Sequence, residues 1–158
     1  FEPGYKFNFT DLQASIGVEQ LKKLNSIISY RKKIRGVYNK ELGDLEKKKL
    51  IKIFKIKKNF KSSEYIYTIL INKNKDQQLR DKLIQFLKKN KINTTVHYIP
   101  LFELKFYKDK FSKKKFPNTN YVYKNIVSLP FHNKLKLNQV KYISNKINDF
   151  FNYENKKK

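Results

Sequence analysis

The sequence predicts an α+β fold, one domain with helices laid against a small sheet. Three observations predict it. Long segments with apolar residues at helical spacing open and close the chain, and short β-branched and aromatic runs lie between them. The order is helix, two strands, helix, strand, helix, strand, helix, with no internal repeat and no linker. The 158 residues suit one domain of ordinary size, able to bury a core without disulfide or metal staples.

Residues 10–43 read as one helix. Thr10 suits its N-cap and Asp11 its positive end, and Leu12, Ile16, Leu21, Leu24, Ile27, Ile28, Ile34, Val37 and Leu42 recur along it. Gly17 weakens such a helix by about 1 kcal/mol relative to Ala, which predicts close packing there, and Gly43 is the expected stop. Residues 50–56 alternate apolar and basic, as a strand with one wet face does; 64–72 (EYIYTILIN) read as a more buried strand, followed by a turn at 72–74. A second helix runs from 76 to about 90 with Leu79, Leu83, Ile84, Phe86 and Leu87 inward, and 92–100 (INTTVHYIP) read as a third strand. Residues 101–116 suit a short helix and a loop. Pro117 opens a helix to Asn125, since proline is tolerated in a first turn. Residues 126–131 (IVSLPF) form a short buried strand, and 137–151 the closing helix, with Val140, Ile143, Ile147 and Phe150 inside.

Composition excludes several functions. No run reaches the roughly 18 apolar residues of a membrane span. The chain has no Cys and only His97 and His132, which excludes thiol catalysis and His-rich metal centres. It has no Met either and begins Phe1-Glu2-Pro3-Gly4, so we expect the C-terminal piece of a longer protein. The 37 Lys and Arg against 13 Asp and Glu give a charge of +24, which raises a basic nucleic-acid-binding module as one reading. Against it, only Arg31, Arg35 and Arg80 are arginine, the residue that supplies a bidentate fork to bases. The lysines are scattered in short runs, and Lys, Asn, Ile, Phe and Tyr, which share A/T-rich codons, make up 91 of the 158 residues. A generally basic solvated surface with no nucleic-acid partner is the expectation. Residue chemistry alone offers no glycine-rich phosphate loop, metal set or carboxylate dyad, and it reads His97 and His132 as structural.

Three blocks in order carry a resemblance over nearly the whole chain. GYKFNFTDLQASIGVEQLKKLNSIISYRKKI resembles the G-Y-x-Y/F-x-x-T-D-x-Q-A-A-x-G-x-x-Q-L-x-x-L segment of the DegT/DnrJ/EryC1/StrS family. INTTVHYIPLF is similar to that family's G-I-x-x-x-x-H-Y-x-P segment, and FPNTNYVYKNIVSLPFHNKLKLNQVKYI to its segment ending in S-L-P with the closing helix. These are pyridoxal-phosphate-dependent aminotransferases of nucleotide-linked keto sugars, with the fold of type I aspartate aminotransferases.

The resemblance implies that residues 1–9 end the large cofactor domain and 10–43 form the connecting helix. Residues 44–153 would then form the small C-terminal domain, helices on a mainly antiparallel sheet, and 154–158 a frayed lysine tail. It implies a homodimer with active sites at the interface, where the loop of Gly4 to Asn8 reaches the partner's pyridoxal phosphate. Family members commonly have Asn at the position of Lys6 and Arg at that of Asn8, although a Lys/Asn variant occurs. Lys6 and then Asn8 are thus the implied phosphate contacts, a charge-assisted bond in the first case. His97 and Tyr98 match the His-Tyr pair near the sugar-nucleotide pocket; where the family often has a second His, this chain has Phe102. The family's Schiff-base lysine, the aspartate on the pyridine nitrogen and the aromatic that stacks on the ring lie upstream of Gly4. No catalytic residue is therefore assigned here, and the fragment alone is expected to be inactive. The implied reaction is amino transfer, with glutamate as donor, to a keto sugar in the cytoplasm, feeding polysaccharide synthesis. The alternatives are a sugar dehydratase of the same family, an inactive remnant, and the nucleic-acid module.

Overall fold

A computed structural model of the chain describes residues 7–72, 78–109 and 115–156; the predicted turn at 72–74 lies largely outside them. Helix α1 spans Asp11–Glu41, and its start is fixed by a reciprocal cap. The Gln13 N–H donates to Thr10 Oγ1 at 3.3 Å while the Thr10 N–H donates to Gln13 Oε1 at 3.0 Å, so two otherwise orphaned donors are satisfied. Gly43 is not the stop. The helix ends at the Leu42 cap, Gly43 opens a second short helix, α2 (Gly43–Lys47), and the left-handed turn falls on Lys49 at φ 56°. Gly17 meets no close neighbour either: a Cβ built there has nothing within 4 Å among the described residues.

Strands β1 (Ile51–Ile53), β2 (Tyr67–Ile71) and β3 (Ile126–Leu129) form one antiparallel sheet in the order β1-β2-β3. Ile51 pairs with Ile71 and Ile53 with Ile69; on the other side Tyr67 pairs with Leu129 and Ile69 with Val127. The first strand is shorter than the alternation at 50–56 predicts, because Phe54 and Ile56 are exposed and leave the sheet. The second begins three residues late. Glu64 has φ 51°, outside extended backbone, and turns its carboxylate into the protein toward Arg35.

The predicted third strand at 92–100 does not form. That segment makes one isolated bridge, Thr95 to Ser128, through Thr95 N–H to Ser128 O (3.2 Å) and Ser128 N–H to Thr95 O (2.8 Å). Its start is held by the preceding helix instead: Lys91 is left-handed at φ 59° and the Ile92 N–H donates to Leu87 O. Between buried Ile92 and Pro100 no residue is buried, so no alternating inner face anchors a ladder.

Helix α3 (Leu79–Lys89) buries Leu79, Leu83 and Leu87, with Ile84 and Phe86 half-buried. A 3₁₀ turn (Leu101–Glu103) and the one-turn helix α4 (Lys105–Lys108) follow. Helix α5 (Pro117–Asn125) starts on its proline as predicted. Helix α6 (Leu137–Lys156) runs further than the sequence suggests, so the tail is helical through Lys156. The core gathers the second half of α1 with its cap (Ile34, Tyr38 and Leu42), the sheet, α3, and α6 through Val140, Ile147 and Phe151. No helix among the described residues is long and apolar enough to cross a membrane.

Tyr38 and Tyr67 stack at 4.6 Å in the middle of this core. Burial pushes both phenols well above the usual range of 10.0; proximity of the other ring adds for Tyr38, and Arg35 pulls back somewhat for Tyr67. A raised folded pKa means that the unfolded chain ionises first. The contribution of these two groups is therefore complete below pH 10.0 and is lost as pH rises above it. Denaturation midpoints should fall steadily on the alkaline side of that pH, and Tyr67→Phe should make the fall shallower.

Candidate functional site

The bridge between Thr95 and Ser128 brings the irregular 92–100 segment against the outer edge of β3, and this contact positions His97. Its ring Nδ1 lies 2.8 Å from Ser128 Oγ and 3.4 Å from Thr95 Oγ1. Ser128 is buried whereas the ring is partly exposed. The His97–Tyr98 peptide is cis, and the two rings meet edge to face at 4.7 Å.

His97 is a wall between two cavities. The larger is an open cleft of about 820 Å³ lined by Arg31, Tyr65, Lys91, His97, Ser128 and His132, among others. The smaller, of about 370 Å³, lies on the α5 side, where Tyr98 and Asn118 join it. Among the described residues no Asp or Glu lines the larger cleft, while Arg31 and Lys91 do. Such a field favours an anionic ligand. Arg31 is braced from behind, its Nε donating to Asn133 Oδ1 (2.8 Å) and its NH1 to the Glu64 carbonyl (3.1 Å). Tyr98 is largely exposed, and a hydrogen bond with the Tyr65 hydroxyl raises its pKa above the ordinary phenol value.

The structure thus brings His97 and Tyr98 together, but it does not bring Asn8 to them. Asn8 stands exposed ahead of α1, and Arg31, on the cleft wall, lies 20 residues along the helix from its first residue, Asp11. At 1.5 Å per residue that is about 30 Å, so one small ligand does not bridge Asn8 and Arg31 of the same copy. Lys6 lies outside the described residues. The Asn8 amide has no partner among the described residues, and Thr10 already caps the helix start, so this amide is available to a ligand oxygen. Asn8 in that setting fits one contact to a phosphate group.

The profile of the DegT/DnrJ/EryC1/StrS aminotransferase family matches residues 2–148. The chain belongs to this family. Its relatives include the uncharacterized protein MJ1066 of Methanocaldococcus jannaschii, 43% identical over 85% of this chain and 34% of that protein. Another is the UDP-4-amino-4,6-dideoxy-N-acetyl-beta-L-altrosamine transaminase of Campylobacter jejuni, 33% identical over 90% of this chain and 37% of the enzyme. Among solved structures, Spr1654 of Streptococcus pneumoniae, described as a sugar aminotransferase, superposes at a TM-score of 0.84 with 30% identity, over 94% of this chain and 37% of that one. It has been solved in apo, PMP and PLP forms. The DegT/DnrJ/EryC1/StrS chain described here therefore spans a little over a third of the length of the relatives it matches.

Phe102, which the sequence resemblance sets at the position of a second histidine, is buried and stacked on Phe116 at 5.9 Å. Ser128, Thr95, Tyr65 and Arg31 also line the cleft without being predicted as site residues from the sequence; Ser128, Thr95 and Arg31 each lie within one of the three family-like blocks, and Tyr65 carried no such signal.

Proposed function

We propose that this chain is the C-terminal part of an enzyme that transfers an amino group from glutamate to a nucleotide-linked keto sugar. The observation that carries the reading is the cleft around His97: a wall with Arg31 and Lys91 and, among the described residues, no acid, beside a His-Tyr pair, in a chain of an aminotransferase family. The transaminase named for the Campylobacter relative acts on a UDP-linked amino sugar, and a diphosphate suits Arg31 and Lys91. The family cofactor, pyridoxal phosphate, supplies an electron sink for the amino transfer when bound. Lys6 and Asn8 would hold its phosphate, while His97 and Tyr98 bind and orient the sugar nucleotide. The covalent lysine is assigned to the polypeptide outside these residues.

A homodimer with shared sites accords with two features. Asn8 is too far from the cleft wall to share its ligand within one copy, and Leu12, Ile16, Val18 and Leu21 stand exposed around the first half of α1. Residues 1–9 as the end of the cofactor domain, α1 as connector and 44–153 as the small domain complete the proposed division. The enzyme acts in the cytoplasm, in polysaccharide synthesis. Lys6→Ala in the intact protein is expected to weaken pyridoxal phosphate binding about tenfold or more, the loss of a charge-assisted contact, with the dimer retained. Cofactor titration by absorbance with sedimentation of the dimer checks this; unchanged affinity removes Lys6 from the site.

A further inference from the structure

The geometry points to Ser128 as a positioning residue that holds His97 in one tautomer, with the proton on Nε2. The Ser128 hydroxyl is buried, and its single side-chain partner among the described residues is His97 Nδ1 at 2.8 Å. Were Nδ1 protonated, it would donate to Ser128 Oγ and leave the serine hydrogen buried without an acceptor, which is costly. Thr95 Oγ1 lies 3.4 Å from the same nitrogen, and the paired Thr95 and Ser128 backbones hold both residues beside the ring. Nδ1 therefore accepts, and Nε2 carries the hydrogen.

Nε2 itself has no hydrogen-bond partner among the described residues and is not one of their buried unpartnered atoms. It opens into the space that the ring lines. His97 thus presents a fixed N–H donor. Its ligand atom is an oxygen with a free lone pair, a sugar hydroxyl or carbonyl or a phosphate oxygen, and neutral His97 does not take a proton through Nε2. This rests on the proposed function only for the identity of the ligand.

The test is imidazole nitrogen NMR on the intact protein, labelled with 15N-histidine, without substrate and above the imidazole titration range. The His97 signals are assigned as those missing from His97→Gln. A pyridine-like Nδ1 and a pyrrole-like Nε2 are expected. Ser128→Ala should move both shifts toward the exchange average, and Ser128→Thr should restore them. A pyrrole-like Nδ1 in the unaltered protein overturns the inference, as do unchanged shifts in Ser128→Ala. If that variant fails to fold, the unaltered spectrum still decides the tautomer. Because no turnover is needed, a protein that shows this tautomer but does not transaminate sinks the proposed function alone. One that transaminates with the opposite tautomer sinks this inference alone.

Discussion

Glu64→Ala is expected to destabilise the fold by about 3–5 kcal/mol, the usual cost of breaking a buried ion pair from one side. Glu64 is 1% exposed and accepts from Arg35 Nε, whose guanidinium also lies 5.6 Å from the Tyr67 ring centre and 5.9 Å from that of Phe131. Removing the carboxylate leaves that charge between two rings with no anion. The Ser62 hydroxyl, which accepts from the Glu64 N–H, keeps the backbone turn in place, so the loss should come from the charge. Glu64→Ala with Arg35→Met should recover much of it, because the stranded cation is gone. Urea denaturation at unchanged slope measures both. A loss under about 1 kcal/mol in the single variant would mean that solvent screens the pair like a surface bridge.

Tyr38→Ala carries the second large effect, about 3–5 kcal/mol, as for other large aromatic truncations in cores. Tyr38 is fully buried, stacks on Tyr67, and donates its hydroxyl to the Pro130 carbonyl at 2.9 Å. Its position matters for the site as well as the core. Pro130 follows Ser128 and Leu129 and lines the larger cleft, so α1 holds the edge on which His97 rests. Tyr38→Phe should cost only about 1 kcal/mol, one hydrogen bond with packing kept. Thermal unfolding separates the two variants, and equal losses would show that the hydroxyl outweighs the ring.

How much of this was legible in the sequence follows from where short-range chemistry decides. Thr10, Pro117 and the apolar spacing of α3 and α6 state their elements locally, and the structure bears them out. The fold class followed, since alternating short β-branched runs and amphipathic helices have few ways to bury one face. Most of what failed depended on partners distant in the chain. Residues 92–100 have strand-forming side chains, but a strand needs a neighbour for its whole length, and β3 offers this segment only Ser128. Glu64 looked like the first residue of a strand because nothing nearby in sequence shows that Arg35 draws it inward. Gly43 looked like a stop because glycine tolerates the left-handed turn that Lys49 in fact makes.

For the site, family motifs pointed to His97 and Tyr98 where residue chemistry alone read His97 as structural. The hydrogen bond to Ser128 shows that the structural and the binding readings are compatible, because one ring nitrogen is held and the other is left open. Arg31 was not legible as a site residue, since it is one basic position among 37 until the fold turns it to the cleft.

Transfer of nitrogen from an amino acid to a sugar by the intact protein is tested most directly by supplying 15N-glutamate and a nucleotide-linked keto sugar with pyridoxal phosphate and reading the sugar product by mass spectrometry. The expected product carries 15N on the sugar ring, with one 2-oxoglutarate released for each amino sugar formed. A sugar that has lost a hydroxyl and carries no label would contradict it and indicate a dehydratase, and an unchanged sugar under the same conditions would contradict it as well.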